Sequence, residues 1–213
     1  MHRGRVADVV GVALGGAVLI AAGVLARGGA RRGEVGIFRR ANTLPDEAFP
    51  AVWIPMQYGT FGTIPALAVL GLVRRRPRLA AAIAAGGAAA WSLAKAVKPL
   101  VGRPRPATIL EGVRQRGSER NDLGFPSGHA AVSAALTLVA WPHIGAGWRI
   151  ASAALAGFVP FARLYVGAHL PLDVLGGSAL GAAVASGVDL ALRTTGPAHR
   201  RAGDSGSVRA AST

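Results

Sequence analysis

"ARLYVGAHLPLD", residues 162–173, sets Arg163, His169 and Asp173 between two apolar runs, Trp148 to Val166 and Leu172 to Leu192. Each run is about as long as a membrane-crossing helix. Ionisable groups at membrane depth are costly and are kept where they act. Arg163 is expected about one turn from the end of the first helix. Pro171 suits a first helical position, which sets His169 just above the second helix and Asp173 in its first turn.

Working outward, the same kind of run recurs. Val6 to Ala26 is apolar except for Asp8. At about 1.5 Å per residue it can cross a bilayer core of roughly 30 Å, and it exceeds the apolar core of a cleaved signal peptide. Ala51 to Val73, Leu79 to Val97 and Gly128 to Ile144 follow, separated by Arg-, Pro- or Gly-rich breaks. The expectation is one all-α integral membrane bundle of six transmembrane helices over residues 1–193. Stretches such as "AAAIAAGGAAA" and "GGSALGAAVASG" imply close helix packing, because small residues let helices approach in lipid. Residues 194–213, rich in Gly, Ser, Ala and Arg, read as a disordered tail.

Composition agrees: 51% of the chain is apolar and the mean hydropathy is +0.39. Cysteine is absent, which excludes disulfides, thiolate metal sites and cysteine nucleophiles. The net charge of +14 does not mark a nucleic-acid binder, because the cations fill the gaps between apolar runs. With six crossings, one side of the membrane receives Arg3, Arg5, Arg74, Arg75, Arg76, Arg78, Arg149, Arg193, Arg200, Arg201 and Arg209. The other receives Arg27, Arg31, Arg32, Arg39 and Arg40, once cations needed for chemistry are set aside. That imbalance puts both termini in the cytoplasm. The Arg, Ala and Gly bias fits a GC-rich bacterial genome.

Two further stretches are unusual. "KPLVGRPRP", Lys98 to Pro106, crowds Lys98, Arg103 and Arg105 into a segment that its prolines should hold extended. Alone it reads equally as cations snorkelling at a helix end. "GFPSGHAAVSAALTLVAW", residues 124–141, opens a helix with Ser127, Gly128 and His129, where Ser127 could be an ordinary N-cap. With the 162–173 stretch, all three clusters fall on one face of the bundle. Lys98, Arg105 and Arg163, with Arg103 in reserve, and the amides of a helix start make an anion site. Two histidines allow one nucleophile and one proton donor, with Asp173 fixing the His169 tautomer. So many cations make a poor setting for a metal ion. His2, His143 and His199 lie at termini or a helix end and carry no role. Glu34, Asn42, Asp46 and Glu47 are read as polar residues of a solvated connection.

"KPLVGRPRP", "PSGH" (126–129) and "RLYVGAHLPLD" (163–173) together resemble the three signature motifs of the type 2 phosphatidic acid phosphatase superfamily. That superfamily includes undecaprenyl-diphosphate phosphatases and shares its pocket with vanadium haloperoxidases. One departure is Ala162, where the family often has Ser. The resemblance implies a six-span acid phosphatase/vanadium haloperoxidase-like fold and cofactor-free, metal-independent hydrolysis of a membrane lipid phosphate. In that scheme His169 attacks phosphorus and Asp173 orients it, while His129 serves the leaving group and then the water. Lys98, Arg105, Arg163, Ser127 and Gly128 hold the phosphate oxygens. Family habit favours a polyprenyl diphosphate at the outer face of a bacterial cell membrane. Phosphatidate or phosphatidylglycerophosphate is the alternative within the same chemistry, and a non-catalytic lipid-phosphate binder or transporter is the alternative of another class.

Overall fold

The computed structural model describes residues 4–117 and 123–194; His2, His199 and the expected tail beyond Thr194 lie outside the described residues. The described residues form nine α-helices: α1 (Arg5–Arg27), α2 (Arg32–Asn42), α3 (Phe49–Met56), α4 (Thr63–Val73), α5 (Pro77–Val101), α6 (Pro106–Ile109), α7 (Gly128–Ala140), α8 (Ala146–Tyr165) and α9 (Pro171–Thr194). The only β pairing among them is an isolated bridge between Pro104 and Leu123. The all-helical expectation holds.

α7 is the central post. Ala130, Ala131, Val132, Ala135, Leu136 and Val139 are all buried, because α9, α5 and α8 pack around it. The closest approach runs along Gly177 and Gly181 of α9. A Cβ at Gly177 would stand 2.3 Å from the Ser127 carbonyl oxygen, and one at Gly181 2.2 Å from that of Ala131. Backbone-to-backbone contact of this kind is how a bundle gains packing energy in lipid, where apolar surface alone gives no drive to associate. α1 lies against α9 on the other side, and its outward residues Val6, Leu14, Ile20 and Val24 are exposed, as a lipid-facing surface requires.

Helix length separates these elements more finely than the apolar runs do. Among the described residues three helices are long and apolar enough to cross a membrane: α1, α5 and α9 over Pro171–Leu192. The run Ala51 to Val73 is not one helix. It breaks at a 3₁₀ turn, Gln57–Gly59, and the segments Asp46–Gly59 and Thr63–Val73 are bent by 66°. Counted as one broken span, the pair makes a fourth crossing. α7 has 13 residues, about 20 Å at the usual rise, and Pro142 follows in a 3₁₀ turn, Trp141–His143. Six crossings therefore do not follow from helix length. α5 also carries Lys98 and Pro99 in its last turn and ends on Gly102 in a left-handed conformation, so the extended part of the Lys98–Pro106 stretch is confined to residues 103–105.

The first connection departs most from expectation. Residues 32–42 form α2 instead of a solvated loop, and Glu34, Phe38, Ala41 and Asn42 bury one face of it. Asn42 donates from Nδ2 to the carbonyls of Arg114 (2.8 Å) and Tyr165 (3.0 Å), and its Oδ1 accepts from the Arg114 N–H at 2.9 Å. Arg116 donates to the carbonyls of Asn42 (3.0 Å) and Tyr165 and to Asp46 Oδ1 at 2.7 Å. These bonds strap residues 114–116 to α2 and to the end of α8. The Asn42 and Arg116 side chains can be buried because each has partners, which removes the cost that would otherwise keep them in water. Asp46 and Glu47, by contrast, are exposed, as the solvated reading expects.

Candidate active site

Four chain segments meet at one end of the bundle. Lys98 is in the last turn of α5, Arg103 and Arg105 lie in the extended link to α6, Gly128 and His129 open α7, and Arg163 is in the last turn of α8. His169 stands in the turn before α9, where Ala168 and His169 N–H both donate to the Arg163 carbonyl, at 3.1 and 3.3 Å. Asp173 is the third residue of α9. Its Oδ2 accepts from the N–H of Leu170, the residue before the helix, at 2.9 Å, which is half of a capping box. The Ser127 N–H donates to the Asp173 carbonyl at 2.9 Å and ties the start of α7 to the start of α9.

These local rules set the histidine. Arg105 Nη1 lies 3.2 Å from His169 Nε2 and also donates to the Ala168 carbonyl at 2.7 Å. A guanidinium only donates, so Nε2 must accept, and the ring proton then sits on Nδ1. His169 Nδ1 is 3.6 Å from Asp173 Oδ2. The imidazole is thus held with its lone pair on Nε2 and its N–H toward a carboxylate, the arrangement that suits a nitrogen nucleophile.

A cavity of about 360 Å³ opens here, lined by Lys98, Arg105, Gly128, His129, Arg163 and His169 among others. Among the cations that line it are Lys98, Arg105 and Arg163, and Gly128 brings the first N–H of a helix, which has no intrahelical acceptor and sits at the positive end of the dipole. Lys98 Nζ also donates to the Leu123 carbonyl, which steadies its head group. Three aromatic residues also line it: Trp53, Phe61 and Trp91, with Phe61 and Trp91 4.7 Å apart and Lys95 Nζ 3.7 Å over the Trp91 ring. An anion with an apolar body fits such a space.

Of the sequence-predicted residues, Lys98, Arg105, Gly128, His129, Arg163 and His169 share this cavity. Two do not line it. Asp173 is fully buried behind His169, and Ser127 is fully buried one residue back, where its Oγ accepts from the Ala130 N–H at 3.5 Å as the N-cap of α7.

Sequence reasoning missed a buried network behind Asp173. Arg103 turns away from the cavity and donates from Nη1 to Asp173 Oδ1 (2.9 Å) and Glu34 Oε1 (3.0 Å), and from Nη2 to Glu34 Oε2 (2.6 Å) and the Gly29 carbonyl (3.0 Å). Glu34 Oε1 also accepts from the Leu172 N–H at 2.9 Å, one of the orphan donors at the start of α9. Arg103 is 2% exposed, Glu34 7% and Asp173 0%, so the three charges act on each other with little screening. Burial works against the Arg103 charge, but the Glu34 hydrogen bonds and the Asp173 and Glu34 charges outweigh it and hold its pKa above the usual guanidinium range. Arg103 is therefore no reserve phosphate ligand. The signal that could have located Glu34 is the 3–4 spacing of Glu34, Phe38, Ala41 and Asn42, which marks one helical face.

The sequence model of the PAP2 superfamily matches residues 78–194. An undecaprenyl-diphosphatase from Sulfolobus acidocaldarius is 29% identical over 140 residues, covering 63% of this chain and 65% of that relative, a little under two thirds of its length. Among solved structures, Aquifex aeolicus LpxE superposes with a TM-score of 0.64 at 21% identity, over 74% of this chain and 94% of its own. The PAP2-type phosphatidylglycerolphosphate phosphatase of Bacillus subtilis gives 0.68 at 18% identity, over 85% and 97%. At these identities the two structures establish a shared fold.

Proposed function

The chain belongs to the PAP2 superfamily, and from that premise we propose that it is a multi-pass membrane phosphatase that hydrolyses a lipid phosphate through a phosphohistidine. The observation that carries this reading is His169, with Nε2 toward a cationic cavity and Nδ1 toward Asp173. Nε2 attacks phosphorus as the bond to the leaving oxygen breaks, and His129 gives that oxygen its proton. His129 then takes a proton from water, which attacks phosphorus and releases phosphate and His169. Lys98, Arg105, Arg163 and the Gly128 N–H hold the equatorial oxygens as charge develops. Ser127 contributes by holding the start of α7 in place.

The reaction as written needs no metal. The donor set supports this: the cavity wall is cationic, and among the described residues no three of His, Asp or Glu come together to hold an ion.

The proposed substrate is a polyprenyl diphosphate. Lys95 lines the same cavity as the three cations already named and adds charge for a second phosphate, and the aromatic residues suit the first prenyl units. The undecaprenyl-diphosphatase relative supports the same choice. For the membrane we propose six crossings: α1, the broken α3–α4 pair, α5, α7, α8 and α9, with α7 shielded from lipid by its neighbours. Both termini are cytoplasmic and the site faces the exterior of a bacterial cell membrane.

The test is phosphate release by the purified protein in EDTA, offered undecaprenyl diphosphate and phosphatidate in parallel, with His169→Ala as control. Faster release from the prenyl substrate, lost in the variant, is expected. Preference for phosphatidate moves the enzyme to phospholipid headgroups. Release that survives His169→Ala overturns the covalent mechanism, and release that requires added Mg²⁺ overturns the metal-free one.

A further inference from the structure

Glu34 lies outside residues 78–194, the stretch that the family model matches, yet it is bonded into the back of the site. A buried carboxylate is not a cheap way to hold a helix, since apolar residues of similar volume commonly stabilise as well or better. Its effect on charge is more specific. Arg103 alone would offset the Asp173 carboxylate and leave no net charge behind His169. With Glu34 added, the Glu34–Arg103–Asp173 group carries one net negative charge.

We infer that Glu34 is a positioning residue for His169, acting through Arg103 and Asp173 to return to that carboxylate the negative charge that the guanidinium takes up. The inference rests on the reading of His169 as nucleophile. When Nε2 bonds to phosphorus the imidazole becomes cationic, and a net negative group on its Nδ1 side offsets that charge. Glu34 also accepts from the Leu172 N–H, which fixes the first turn of α9 on which Asp173 stands. The other charged or titratable groups around His169 are Arg105 at Nε2 and, lining the same cavity, Lys95, Lys98, Arg116, Arg163 and His129. None of these changes when Glu34 does.

The experiment is the pH dependence of kcat/KM for Glu34→Gln, Arg103→Gln and the double variant, beside His169→Ala. The acidic limb marks loss of the proton that blocks attack by His169. In Glu34→Gln a nearby negative charge is gone, the imidazolium is less favoured, and the limb moves to lower pH by about one unit. Arg103→Gln removes a positive charge and moves it the opposite way. The double variant again leaves one net negative charge, and its limb returns toward that of the unaltered protein. The position of a limb does not depend on how much protein is folded, so a variant of low yield still reports, and the double variant decides if one single variant cannot be purified. Limbs that coincide in all the active proteins, with His169→Ala inactive, overturn the role of Glu34 and leave the nucleophile standing. Activity in His169→Ala overturns both.

Discussion

Asp173 divides its two oxygens between partners of opposite use: Oδ1 takes Arg103 Nη1 at 2.9 Å, while Oδ2 stands 3.6 Å from His169 Nδ1. The carboxylate that orients the histidine is itself oriented from behind. Orientation of this kind holds only while Arg103 stays bonded to both carboxylates, and several measurable consequences come from that and from the packing around it.

Arg103→Gln leaves Glu34 and Asp173 as two buried carboxylates without a counter-charge. Breaking a buried ion pair from one side costs about 3–5 kcal/mol. Thermal unfolding in detergent should show a loss of that size. Glu34→Gln made in the Arg103→Gln background should recover part of it, because the like-charge repulsion is removed. Two losses that simply add would mean that the residues are not coupled.

On the proposed mechanism, His129→Ala separates the two halves of the reaction. With p-nitrophenyl phosphate the leaving group needs no proton, whereas release of phosphate from His169 still needs a base. The expected record is one rapid equivalent of nitrophenol per site, then turnover slowed by roughly 10²–10⁴-fold. Slow release with no initial burst would assign His129 elsewhere.

Gly181→Ala tests the packing of α9 on α7. The substitution favours the helix by about 1 kcal/mol in isolation. Here the new Cβ would stand 2.2 Å from the Ala131 carbonyl oxygen, a backbone atom that cannot turn aside. Overpacking of this kind costs about 1–3 kcal/mol, so the net change should be a lower unfolding temperature. A rise would show that the two helices can part without loss.

Asn42→Ala removes both side-chain bonds to Arg114 and the one to Tyr165. Residues 114–116 should then open locally. Hydrogen exchange at the Arg114 amide is expected to quicken by about tenfold or more, the equivalent of one to two hydrogen bonds. Unchanged exchange would place the strap in the Arg116 contacts alone.

Much of the site was legible because the chemistry is written in short local runs. Lys98, Arg105, Gly128, His129, Arg163 and His169 were found from their types and spacing, and they do share a cavity. What escaped was set by distance along the chain. Arg103 looks like its neighbours in sequence, and only the fold turns it toward Glu34, 69 positions away. Glu34 sits in a connection between apolar runs, where polarity reads as solvent contact, although its partners make burial affordable. The break near Gly59 was hidden by apolarity: a run can be greasy enough to cross and still bend, and "YGTFG" at residues 58–62 was the local signal.

Assembly in time is the remaining consequence of the Glu34 bonds. Glu34 joins Arg103 across 69 positions and Leu172 across 138, so the guanidinium can find its first carboxylate while much of the chain is still unmade. Asp173 and His169 come from the last helix and the turn before it. A nascent chain that has inserted everything up to α8 therefore holds a cationic basin without His169 or Asp173, and the site is completed in a single late event, the docking of α9.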